Sequence, residues 1–397
     1  MESITLVLII ILLAITIAPI VARYTHIPVI VIELIIGILL GRSLLDLIPS
    51  NALFDFFSSF GLIFLMFLAG LEMDFSRIRK AFTRTVLIAV ISISVPFLSG
   101  YLAAPYIGIN PLILGAVLST TSLGLILPLC REIDHHRDLS AVLFGSVILV
   151  DILSIFVLTF SIVFIRGEYG ISLYYSIILI LVLFILPWVL FKSKVKKKME
   201  AWIETKSRFA VMVRISFALV VILAAISSEL GFHSIVGAFI AGLIISEITP
   251  RACQLEEKLE SFGYGFFIPF FFILVGSRID LPGLFSNLEN IRILLIIITI
   301  AILSKFISVT LISKAVRFDW RESLSMGFLH TARLSLIIAV AEIGRELELV
   351  DENLFSSFMI VAIVTAIIGP VAGKYMLKKN EPKEAEKNKE DAENLEI

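Results

Sequence analysis

Apolar residues run through this chain in blocks of about 17–25 positions, separated by short charged or Pro, Gly and Asn-rich breaks, and that is the length an α-helix needs to cross a bilayer. Thirteen such blocks can be marked, at about 3–22, 27–48, 57–72, 83–107, 110–130, 139–166, 171–191, 208–230, 233–249, 258–277, 287–317, 321–345 and 352–377. The third and ninth are short, and the second contains Glu33 and Arg42. The opening residues Met1, Glu2 and Ser3 lack the basic region of a cleavable leader, so the first span is expected to stay in the mature protein. The pattern predicts an all-α polytopic membrane protein of about thirteen transmembrane helices.

Composition agrees: hydrophobic residues are 58% of the chain, against roughly 45–50% in soluble domains, and the mean hydropathy is +1.01. A net charge of -1 and the lack of a basic patch interleaved with aromatics argue against a nucleic-acid partner. Cys130 and Cys253 fall near helix ends on the side expected to face the cytoplasm, where a disulfide is disfavoured. With the N-terminus outside, one set of connecting segments carries twenty-five lysines and arginines and the other five. Lys and Arg concentrate on the cytoplasmic side, so the expected topology is N-terminus out and C-terminus in, in the cell membrane. Three basic residues stay inside spans: Arg214, close enough to a helix start to snorkel, and Lys305 and Arg333, which cannot easily reach a surface.

The chain also repeats itself. FLMFLAGLEMD, from Phe64 to Asp74, echoes FFFILVGSRID, from Phe270 to Asp280, at a spacing of 206, and GILLG, from Gly37 to Gly41, echoes GLIIS, from Gly242 to Ser246, at a spacing of 205. The third span then matches the tenth and the second the ninth. Seven helices separate the partners, so each pair runs in opposite directions, as in the inverted repeats of many secondary transporters. The expected organisation is a transmembrane unit over 1–377, with a first repeat at about 1–166, a linker helix at 171–191 and a second repeat at about 208–377. A charged cytoplasmic tail over 378–397 is expected to be disordered.

The same symmetry pairs the fifth span with the twelfth, and both are interrupted by polar residues. The fifth carries Ser119, Thr120, Thr121, Ser122 and then Pro128; the twelfth carries His330, Thr331 and Arg333. Two broken, crossing helices are predicted there, with carbonyls and half-helix ends able to hold ions. The alternative is that the hydroxyls merely bond back to the preceding turn. Asp151 sits mid-way along the sixth span, where a charged residue costs about 2.5–3.5 kcal/mol and marks an ion or proton path. Asp151, Ser119 to Ser122, Lys305 and Arg333 should meet at one depth, with one of the two cations resting on helix-end carbonyls. A proton and a monovalent cation would compete for Asp151, with Thr120, Thr121 and Ser122 replacing part of the ion's water. Alternating exposure of such a site is exchange. The rival for Asp151 is a purely structural ion pair with Lys305 or Arg333.

At these residues the chain resembles the monovalent cation:proton antiporters, in the branch that includes the glutathione-gated potassium efflux systems. The likeness rests on Ile27 and Pro28 through Glu33, Gly37 and Gly41; Gly61 through Asp74; Leu118 through Gly124; Val150 and Asp151; Val236 through Gly242; Pro269 through Gly276; Lys305; and Arg333. It implies an elevator-type antiporter fold and a homodimer, with Asp151 as the shared ion and proton site and Lys305 and Arg333 as charge-compensating groups. Sodium is the favoured cation, with lithium or potassium also possible substrates, and no cofactor is implied. Electrogenic relatives carry two adjacent aspartates on the sixth helix, whereas the first position here is Val150. One carboxylate predicts one proton per cation and electroneutral exchange. Arg333 is followed by Leu334 and Ser335 where many relatives have Gly and Glu, and the nucleotide-binding domain of the efflux systems has no counterpart in these residues.

Glu33, Glu72, Glu229, Glu247 and Glu342 are read as packing, capping or vestibule residues, the His135 and His136 pair as part of a solvated loop with cytoplasmic pH sensing as the alternative, and the Lys192 to Lys198 run as a membrane-surface anchor. His330 stands beside a break and is left open between packing and cavity lining. A passive potassium channel on the same broken helices is the main functional rival. No intramembrane protease is indicated, since a second aspartate, a His-Glu-x-x-His helix and a Ser–His pair are not evident.

Overall fold

The computed structural model describes residues 2–25, 27–49, 51–72, 81–123, 125–126, 137–167, 209–229, 233–248 and 255–378. Among these there is no strand, and twelve of the thirteen predicted spans are helical. The seventh span, His135, His136, the Lys192 to Lys198 run, both cysteines and the 379–397 tail lie outside the described residues. The helices are α1 (Glu2–Thr25), α2 (Val29–Leu40), α3 (Ala52–Leu71), α4 (Phe82–Ala103), α5 (Pro111–Ser119), α6 (Arg137–Arg166), α7 (Phe209–Glu229) and α8 (Ser234–Ile248). They continue with α9 (Leu255–Phe262), a π-helical turn (Gly263–Phe267), α10 (Ile268–Ser277), α11 (Leu281–Phe285), α12 (Leu288–Ala315), α13 (Trp320–Thr331), α14 (Ser335–Glu346) and α15 (Glu352–Lys378).

Two boundaries differ from the sequence reading. The second span ends at Leu40, not about 48, because Gly41 leaves the helix in an extended conformation and residues 44–47 fold back to donate to the carbonyls of Leu39, Leu40 and Gly41. The third begins at Ala52, not 57: the Asn51 side chain caps Leu53 N at 2.9 Å, and Asp55 complements the positive helix start. Asp55, Ser58 and Ser59 make that turn look like a loop in sequence. Asn110 likewise caps α5, followed by Pro111 at the first helical position, where its missing N–H costs nothing.

The repeat glycines account for the packing. A Cβ on Gly37 would collide with the carbonyl of Ile273 and the Cα of Gly276, and one on Gly276 would collide with Leu34 O. The equivalent glycines of the other repeat meet in the same way: Gly70 lies against Phe239 O, and Gly242 against Phe67 O and the Gly70 backbone. Thus α2 against α10 mirrors α8 against α3, as an inverted repeat requires. Small residues are what let membrane helices approach this closely.

The helices sort into two bundles. α1, α2, α3, α7, α8, α9 and α10 pack among themselves, as do α4, α5, α6, α12, α13, α14 and α15, while few backbones approach across the boundary. Most bonds that cross it gather at one end. Arg278 at the end of α10 binds Glu342 of α14 across the boundary at 2.9 Å while also holding Asp55 of α3, in its own bundle, at 2.8 Å; Arg42 binds Glu352 at the start of α15 at 2.8 Å; and His233 lies 3.5 Å from Glu346. All of these groups but His233 border a cavity of about 390 Å³ that is also lined by Arg345 and Phe355.

Candidate functional site

Both predicted breaks are present. Helix geometry stops at Thr120 to Ser122 after α5 and at Ala332 to Leu334 between α13 and α14. The two interrupted segments bond to each other. Ser122 N donates to Ala332 O at 2.9 Å, Thr121 Oγ1 to His330 O at 3.3 Å, and Ser122 Oγ lies 3.4 Å from Ser335 Oγ. The last carbonyls of α13 are therefore satisfied by the chain that leaves α5.

The last carbonyls of α5 are satisfied by the two buried cations. Lys305 Nζ, on α12, donates to Ser119 O at 2.6 Å, and Arg333 Nε to Thr120 O at 3.1 Å. Arg333 Nη2 reaches Ala301 O, one turn before Lys305, at 2.9 Å. Both side chains are fully buried. Sequence reasoning placed one cation on helix-end carbonyls; here both rest there, because a half-helix C-terminus carries about half a negative charge and several unmatched carbonyls. These bonds go to backbone, not to Asp151, so the site is not held together as a simple acid–base pair.

Asp151 is 4% exposed on α6, with the backbone N–H of Leu123, just beyond the break, directed at its carboxylate. Its Oδ1 is buried and bonded by none of the described groups. Ser119, Thr120, Thr121 and Ser122 are all buried. Ser119 and Thr120 bond back to Ala116 O (2.8 Å) and Val117 O (3.0 Å). Back-bonding thus does hold for these two, and the helix breaks all the same.

His330 is a full participant. Its Nδ1 lies 2.9 Å from Met326 O, which makes that nitrogen the donor, and its Nε2 lies 3.0 Å from Ser146 Oγ on α6. Its ring ties α13 to α6 while its carbonyl accepts from Thr121. Ser146 and Arg278 were not singled out from sequence; a serine five residues before Asp151 and a basic residue closing a repeat motif were the available signals. Glu342 fits its packing role, 5% exposed and shared between Arg278 and Arg345 (2.9 Å each). Glu229 is exposed at a helix end, as is Arg214 one turn into α7. Glu33 is 3% exposed within α2, with Oε2 bonded by none of the described groups.

A bundle of broken, antiparallel-repeat helices around a buried carboxylate and two carbonyl-bound cations is the architecture of an ion-coupled secondary transporter. The chain belongs to the sodium/hydrogen exchanger (transmembrane) family, whose model matches residues 9–379. It is 31% identical over 384 residues to the putative Na+/H+ antiporter YjbQ of Bacillus subtilis, covering 91% of this chain and 61% of that protein. The probable Na+/H+ antiporter 3 of Methanocaldococcus jannaschii is 31% identical over 95% of this chain and 97% of its own length. For an Na+/H+ antiporter of Enterococcus hirae the figures are 29%, 94% and 98%. The solved structure of MjNhaP1, a sodium proton antiporter from M. jannaschii, superposes with a TM-score of 0.63 at 16% identity, over 95% of this chain and 99% of that one, and shares its fold.

Proposed function

We propose that this protein exchanges a monovalent cation, sodium first, for protons across the cell membrane, with cation and proton taking turns on Asp151. The observation that carries the reading is the Asp151 carboxylate, buried against two helix breaks with one oxygen that none of the described groups bonds. Lys305 and Arg333 neutralise the half-helix ends and leave Asp151 as the site's titrating ligand. An anionic ligand binds a cation only when deprotonated, so loading the ion releases the proton.

Val150 stands beside Asp151 where a second acid would add another charge, which supports one proton per cation and electroneutral turnover. The division into two bundles supports an elevator motion in which α4–α6 and α12–α15 carry the site past the other bundle, and we place that second bundle at the interface of a homodimer. The proposed topology is N-terminus out and C-terminus in, from the asymmetry of lysine and arginine.

The test is cation-induced collapse of a pH gradient in proteoliposomes, with sodium, lithium or potassium added to wild type and to Asp151→Asn. Collapse by sodium in wild type alone is the expected result. Collapse by both proteins, or by neither, ends the assignment. Relatives named for potassium exchange occur too, at 25% identity for a yeast K+/H+ antiporter, so potassium is the second cation to compare.

A further inference from the structure

α6 carries several hydroxyls, and they do not behave alike. Ser146 bonds back to Leu143 O at 3.0 Å, Thr159 to Ile155 O at 2.7 Å and Ser161 to Val157 O at 2.7 Å. This is the usual arrangement for a hydroxyl in a membrane helix. Ser154 departs from it: its Oγ is buried and none of the described groups bonds it, with the residue only 3% exposed. Leaving such a group unmatched is unfavourable. Ser154 lies three residues after Asp151, so the two Cβ atoms are neighbours on one face of α6, about 5–6 Å apart. Helical side chains lean toward the N-terminus, which brings Ser154 Oγ over the turn that carries Asp151. The unmatched hydroxyl and the unmatched Asp151 Oδ1 therefore share one patch of α6.

We propose that Ser154 is a further ligand of the transported cation, its hydroxyl oxygen and Asp151 Oδ1 holding the ion together. The inference rests on the exchange reading given above and names a residue for it. Chemically the addition fits a site with a single acid. A hydroxyl supplies an oxygen to replace hydration without a second negative charge, so carboxylate and monovalent ion still cancel and a proton remains an equal competitor. The hydroxyls of Ser119, Thr120 and Thr121, at the break after α5, already donate to carbonyls and keep only their lone pairs for an ion.

The experiment measures gradient collapse against sodium, lithium and potassium concentration for wild type, Ser154→Ala and Ser154→Thr. Losing one of a few oxygen ligands should raise the KM for sodium in Ser154→Ala about tenfold with kcat largely kept, the mark of lost ion binding. Ser154→Thr, which keeps the hydroxyl, should stay within about twofold of wild type in KM. An unchanged KM in Ser154→Ala, or equal defects in both variants, overturns the proposal, because packing alone would then explain the residue. Wild type inert toward every cation would bring down the exchange reading and this inference with it. If Ser154→Ala does not fold, Ser154→Cys, close to serine in volume, gives the same comparison, with a raised sodium KM expected and an unchanged one decisive against.

Discussion

Replacing Asp151 with Asn keeps the shape and hydrogen-bonding capacity while removing the charge. Exchange should fall to background while the melting temperature in detergent stays within a few degrees of wild type. Because proton and cation contend for one carboxylate, acidification should raise the apparent KM for sodium, approaching about tenfold per pH unit once the carboxylate is mostly protonated in the absence of ion; a KM flat with pH would separate the two binding events. Lys305 serves differently. Lys305→Ala leaves Ser119 O unmatched in the interior, so stability should drop by about 1–3 kcal/mol, read as a lowered melting temperature. Asp151 was legible because a lone acid in an apolar run is conspicuous. Ser154 was not, since serine is common in membrane helices and only its lack of a carbonyl partner sets it apart.

Helices were the most readable level. Among the described residues the helical spans and most of their ends follow from apolar length, but where a polar turn is helical, as at Asp55 and Ser58, composition misleads and the Asn51 cap decides. Both breaks were visible because polar residues cluster there twice at symmetric places. The partners of the breaks were hidden, since which carbonyl Lys305 or Arg333 meets depends on how α12 lies along α5. Contacts among the repeat glycines make a prediction at this scale. Gly242→Val places atoms where Phe67 O and the Gly70 backbone already lie, forcing α8 from α3. Overpacking costs about 1–3 kcal/mol, and Gly276→Val, its counterpart across the repeat, should lose a similar amount. Unequal losses in the two variants would show that the symmetry of the packing does not extend to its energetics.

At the scale of the molecule, the proposed motion requires the two bundles to slide. A short bis-maleimide joining cysteines at positions 42 and 352, in place of Arg42 and Glu352, should stop exchange, whereas the same cysteines left unlinked should not. Full exchange in the linked protein would mean that the bundles stay fixed there. Little of this was readable in the sequence. Arg42, Arg278, His233, Glu342, Glu346 and Glu352 are scattered over more than three hundred positions and gather only when the chain folds.

That gathering of ion pairs has an environmental consequence. Several of its members are open to water, with the Arg42 and Glu352 side chains 49% and 63% exposed, and contacts of that kind weaken as electrolyte accumulates. With the N-terminus outside, as proposed, α2 ends close to Arg42 on the outer side, so brine outside the cell would loosen the fastening between the bundles whatever its composition. Choline chloride should then speed turnover at fixed sodium, so that the protein answers to salinity as a whole while transporting only the ion that fits.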